Sequence, residues 1–150
     1  MAEKPMSPEE MSVELSARRT GMSFQRTRMS ADRTLMSVIR TSLSLIGFGF
    51  TIFQFFEKLR EAGSLTHAAA PRSFGLALIA LGVALLVVGI VYHVQFMTGL
   101  RLEREQMKVS GLVHAESRFP VSYTLILAVL LLLLGVTAFV SLTFDVGPFS

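Results

Sequence analysis

The chain contains no cysteine and no tryptophan, and only two tyrosines. Its long apolar runs contain no Asp or Glu; Asp32, Glu57, Glu103, Glu105, Glu116 and Asp145 all fall at their ends or in loops. Each absence excludes something. Without cysteine there is no disulfide framework and no thiolate nucleophile or thiolate metal ligand. Without tryptophan the commonest membrane-interface anchor is missing. Without a carboxylate inside a span, the usual proton relay of a membrane pump has no carrier. His67, His93 and His114 lie in different segments and no pair has metal-ligand spacing, so no metal site is expected. No Walker motif, Gly-x-Ser-x-Gly elbow or nucleophile–base pair occurs. The sequence therefore predicts no catalytic residue, no cofactor and no enzyme.

What is present is largely apolar. Hydrophobic residues make up 51% of 150, they are clumped, and mean hydropathy is +0.56. That is a membrane composition. Three spans are expected, at about 38–56, 73–97 and 121–144. The shortest rises about 28 Å, just enough to cross a bilayer. The first apolar run starts too late for a secretory signal peptide and has no Ala-x-Ala site after it, so it is expected to be retained. The fold class is an all-α membrane protein with three transmembrane helices, the first extended into the cytosol by a heptad-repeat amphipathic helix. Residues 1–20 read as a cytosolic N-terminal tail and 21–150 as the three-span membrane domain.

The first helix is written as a repeat. Gly21–Thr27, Arg28–Thr34 and Leu35–Thr41 share the pattern x-Met-Ser-x-x-Arg-Thr, and a degraded copy follows at Ser42–Phe48. Seven residues are nearly two helical turns, so the shared positions form one face about 140° wide. Across it run Met22, Met29 and Met36, then Arg26, Arg33 and Arg40, then Ser23, Ser30, Ser37 and Ser44, then Thr27, Thr34 and Thr41. Successive arginines stand about 10 Å apart along the axis. Guanidinium forks among hydroxyls are what phosphate oxygens need, so Arg26, Arg33, Arg40, Thr34, Thr41 and Ser37 are candidate anion-binding residues. The other readings are anchoring to lipid phosphates, with Arg40 reaching the headgroups, and pairing of Asp32 with Arg28 or Arg33. The Ser/Thr seam alternates steps of four and three, which also suits tight helix packing.

The remaining landmarks set boundaries and sides. Ser7-Pro8-Glu9-Glu10 fits a capping box opening a short helix that Gly21 is expected to break. Gly75, Gly82 and Gly89 recur every seven residues in the second span, and Ala128 and Gly135 do so in the third. Such columns let membrane helices approach closely. His93 is expected near the headgroups, and the second helix is expected to continue over Leu100–Lys108. Gly111 and Pro120 bracket the turn into the third span. Of the 14 Lys and Arg residues, 11 fall on the side of the N-terminus and the 98–120 loop, and 3 on the other. The positive-inside rule then predicts a cytoplasmic N-terminus and an outside C-terminus. The basic balance sits on that inner face, which favours anionic lipid or an anionic ligand over nucleic acid.

The run from Ser30 to Phe50 resembles the YidH family of small bacterial inner-membrane proteins (domain of unknown function 202). Arg33, Thr34, Ile39, Arg40 and Thr41 match the signature Ala-Asn-Glu-Arg-Thr-Phe-Leu-Ala-Trp-Ile-Arg-Thr, while Asp32 replaces the usual Glu and Val38 the usual aromatic. The three-span layout agrees. The resemblance implies a multi-pass protein of the bacterial inner membrane. A similar domain occurs in the membrane subunits of the fungal vacuolar transporter chaperone, where spans of several subunits surround a basic polyphosphate path. That implies that Arg33 and Arg40 face a polyanion. The chaperone's polymerase domain has no counterpart, so synthesis is not implied. The expected function is thus a homo-oligomeric membrane module with a basic cytosolic entrance that binds or passes phosphate or polyphosphate, as a channel or transport accessory. The alternative is a structural or partner-binding membrane subunit whose arginines only hold lipid phosphates.

Overall fold

The computed structural model describes residues 7–63, 69–109 and 122–144. They form three helices, α1 (Pro8–Glu61), α2 (Ala69–Val109) and α3 (Tyr123–Phe144), and no strand occurs among the described residues. All three are long and apolar enough to cross a membrane, and the fold class is all-α as expected. Gly111, Pro120, His67, His114 and the segment from Asp145 lie outside the described residues.

α1 opens on the expected capping box. The Ser7 N–H donates to Glu10 Oε2 at 2.8 Å, and the Glu10 N–H donates to Ser7 Oγ at 3.2 Å. Two end-of-helix donors are satisfied reciprocally, and Pro8 occupies the first helical position, where it needs no N–H partner. Gly21 does not break the helix. It sits at a helix position where a Cβ would meet nothing within 4 Å. One exposed glycine costs only about 1 kcal/mol relative to alanine, too little to stop so long a helix. α1 therefore runs unbroken for 54 residues, about 81 Å, and residues 8–20 belong to it. It ends where the Ala62 N–H reaches the Lys58 carbonyl, the Gly63 N–H reaches that of Arg60, and Gly63 turns left-handed at φ 70°.

α2 starts earlier than the expected span, so Pro71 lies inside its first turn, where a missing N–H breaks no bond. It continues to Val109, through the expected extension. α1 and α2 pack antiparallel: Gly49 lies at Gly75, Ser42 and Ile46 at Gly82, Val38 at Gly89, and Asp32 at His93. α3 runs beside α1 in the same direction, with Ser122 at Asp32, Gly135 at Ile46, and Leu142 in one cluster with Phe53.

The inward stripe of α1 is Leu35, Ile39, Ser42, Ile46, Gly49 and Phe53. Its steps of four and three make it the heptad seam that the chain itself packs. Two clusters stack along it. Leu35 and Ile39 meet Leu86, Ala128 and Leu131; Ile46 and Phe53 meet Ile79 and Leu142. The shared repeat positions point the other way. Met22, Met29 and Met36 are exposed, as are Arg26, Arg33 and Arg40.

Candidate functional site

Two groupings of polar side chains stand out at membrane depth. The first is the outward face of α1. Arg40, Ser37, Thr41, Ser44, Gly47 and Thr51 are all exposed on it. Arg40 lies eight residues beyond Asp32, hence about 12 Å further along the axis, while α3 beside it spans about 33 Å. So Arg40 lies alongside the first half of α3, Arg33 is level with its start and Arg26 is beyond it. None of the three carries a hydrogen bond or ion pair among the described residues. Arg28, off this face, is half-buried and has a bonding partner. The outward residues of α2 and α3 are different in kind: Leu81, Val88, Leu130, Leu133 and Leu134 are exposed hydrocarbon, as lipid requires.

The hydroxyls on the α1 face bond back into their own helix. Thr27 donates to the Ser23 carbonyl, Thr34 to Ser30, Thr41 to Ser37, Ser44 to Arg40 and Thr51 to Gly47, at 2.9 to 3.1 Å. This settles each hydroxyl in an apolar layer without an outside partner. It also commits the proton that Thr34 and Thr41 would offer an anion, and leaves the guanidinium groups as the free donors of this face.

The second grouping joins all three helices. Ser122, just ahead of α3, donates its hydroxyl to Asp32 Oδ1 at 2.9 Å and receives the Leu125 N–H at 3.4 Å. His93 Nε2 lies 3.6 Å from the same Asp32 oxygen. His93 is 3% exposed, and neither ring nitrogen has a hydrogen-bond partner among the described residues. Beside it a cavity of about 30 Å³ is lined by Ala31, Thr34, Leu35, Gly89, Tyr92 and Phe96, among others. The sequence offered pairing with Arg28 or Arg33 as one reading of Asp32. In the structure Asp32 turns to α2 and α3, away from Arg33. The available signal was the angular position of Asp32 on α1, some 100° from Arg33 and beside the apolar stripe.

The glycine and alanine columns lie on helix contacts. A Cβ on Gly75 would come within 2.8 Å of the Gly49 carbonyl, one on Gly82 within 2.8 Å of Ile46, and one on Gly89 within 2.6 Å of Val38. Gly135 sits between Ile46 and Val83, and Ala128 is fully buried. Gly49, which sequence reasoning did not single out, also lies at this contact, where an added Cβ would stand 2.6 Å from the Gly75 carbonyl.

A family model described as Domain of unknown function (DUF202) matches residues 18–99, more than half of the chain. The chain belongs to this family. The DUF202 match takes in α1 from Arg18 onward and α2 as far as Gly99, so it contains the outward arginines, the Gly75/Gly82/Gly89 column, Asp32 and His93. α3 and Ser122 lie beyond it. No curated protein and no solved structure matches the chain.

Proposed function

We propose that this DUF202 protein works as a homo-oligomeric membrane module, not as an enzyme, and that its outward α1 faces meet around a path or site for a phosphate-rich anion. The carrying observation is the polarity of that face at membrane depth. Arg40 is exposed among Ser37, Thr41 and Ser44 as well as Met36 and Leu43, at a level where the exposed large residues of α2 and α3 are hydrocarbon without an arginine. A charged side chain facing lipid at that depth costs several kcal/mol, so such residues face protein or water instead. A second copy brings an identical face, and its glycine and hydroxyl residues permit close approach. Several copies around an axis stack Arg26, Arg33 and Arg40 into positive rings about 10 Å apart, the pattern of anion pores. The distribution of Lys and Arg supports a cytoplasmic arginine-rich end, and the resemblance to the YidH family implies a bacterial inner membrane. The resemblance carried by Arg33 and Arg40 to the vacuolar transporter chaperone supports polyphosphate as the anion.

One observation favours a second reading. Because Thr27, Thr34, Thr41 and Ser44 donate to their own backbone, the hydroxyls suit an assembly seam better than a ligand cradle. In that reading the arginines hold lipid phosphates only.

The chain lacks cysteine, so single cysteines report contacts cleanly. In native lipid, Ser44→Cys cross-links between copies and Val88→Cys on the hydrocarbon side of α2 does not. A strict monomer would end both oligomeric readings. Polyphosphate binding in zwitterionic nanodiscs at fixed salt then separates them. Lysine keeps the charge but loses the bidentate fork, so Arg33→Lys and Arg40→Lys weaken binding by about 1–3 kcal/mol each. Arg18→Lys, outside the layer and paired with Glu14, leaves it unchanged. Equal affinities for all would leave only the seam.

A further inference from the structure

We propose that Asp32, His93 and Ser122 form a proton-binding site that fastens α3 to the α1–α2 pair, and that it closes when His93 is charged. The site is independent of whether copies assemble, since every group in it belongs to one chain.

The geometry is unfinished in a specific way. Nε2 and Oδ1 at 3.6 Å are too far apart for a hydrogen bond, yet within ion-pair range. A buried imidazole with two unpartnered nitrogens is costly as it stands. A proton supplies what is missing. Imidazolium has two N–H donors, one for Asp32 and one for the other side of the ring. The cavity of about 30 Å³ beside the ring is lined mostly by apolar groups, with Thr34 and Tyr92 the only hydroxyl-bearing side chains among its lining residues.

Among the described residues, Asp32 is the counter-ion that faces His93. From α1, Asp32 faces it, while Arg33 is exposed on the outward side and Arg28, one turn from Asp32, has an interaction of its own. From α3 come the Ser122 hydroxyl and Tyr123, which is 85% exposed. On α2 itself Tyr92 is exposed and stacked on Phe96, and the next charge is Arg101, two turns on. A metal ion fits poorly, because no three His, Cys, Asp or Glu residues gather among the described residues. Asp32 is the shared element. The same carboxylate oxygen takes the Ser122 hydroxyl, and Ser122 caps the first turn of α3. Its negative charge therefore sits at a helix N-terminus, where it is favourable, and drawing it toward His93 draws α3 with it.

The test uses the full-length protein in zwitterionic nanodiscs with ¹⁵N-labelled histidine and spin labels at Met29→Cys and Tyr123→Cys. The His93 ring signals, assigned by their loss in His93→Gln, shift between pH 8 and pH 5.5. Over the same interval the label-to-label distance distribution narrows. His93→Gln and Asp32→Asn each abolish the narrowing. Ser122→Ala keeps the His93 shift but not the narrowing, which a merely structural histidine would not produce. A His93 signal that stays constant from pH 8 to pH 5.5, or the same narrowing in wild type and His93→Gln, would overturn the proposal.

Discussion

Two glycines two residues apart have opposite environments. Gly49 faces α2, where an added Cβ would stand 2.6 Å from the Gly75 carbonyl and 2.9 Å from Ile79 Cγ1. Gly47 faces outward, where nothing lies within 4 Å. A backbone carbonyl cannot swing aside as a side-chain tip can, so Gly49→Ala pushes the helices apart and costs about 1–3 kcal/mol through overpacking. Gly47→Ala costs the single chain nothing and gains helix propensity worth about 1 kcal/mol. Thermal unfolding of the two variants in detergent checks the contrast. If Gly47→Ala is also destabilising in native lipid but not in detergent, that face is an interface between copies. At this scale the sequence was only partly readable. The period of seven revealed which residues share a face of α1, but not which face turns inward. Asp32, His93 and Ser122 could not be paired at all, because Ser122 lies 90 residues from Asp32 and only the packing of three helices brings them together.

Among the elements, α1 shows how local signals combine. The capping box and the apolar run were both legible, and both are formed. The expected break at Gly21 was not, because propensity is a local preference and the continuation on both sides outweighs it. The cap should respond to acid. The Ser7 N–H, and then the Ser7 side chain, hold the Glu10 carboxylate below its usual range. A carboxylate lowered in the folded state adds stability above its unfolded value and loses it as pH falls. The first turn of α1 is therefore intact from neutral pH to about pH 5 and frays below about pH 4. Amide exchange at Glu10 and Met11 measures it. Glu10→Gln keeps an oxygen that can accept the Ser7 N–H, so it should remove the acid-dependent step while leaving the turn formed at neutral pH, and a step that survives in Glu10→Gln would assign it to another group.

For the molecule as a whole, three helices apolar enough to cross a membrane followed from hydropathy, because a continuous apolar run in this composition has few other uses. Which ends face which compartment is a separate inference from the arginines and lysines. It predicts that Glu9→Cys and Leu102→Cys react with an impermeant thiol reagent from the same side, and Ala62→Cys from the opposite one. All three residues are exposed in the structure. Labelling of Glu9→Cys and Ala62→Cys from one side would contradict three crossings.

The unbroken course of α1 through the rim of the spanning layer has a mechanical meaning. From Asp32 back to Pro8 the helix extends about 36 Å with no turn, proline or gap between. It is a rigid arm, and the polar face that begins on the arm is the same face that enters the layer at Arg40. A tilt of about 5° at Asp32 would carry the tip about 3 Å sideways, given an arm of that length. Conversely, whatever grips the tip applies torque to Arg40 with no hinge to absorb it. Force applied outside the layer and the setting of the arginines within it are one degree of freedom.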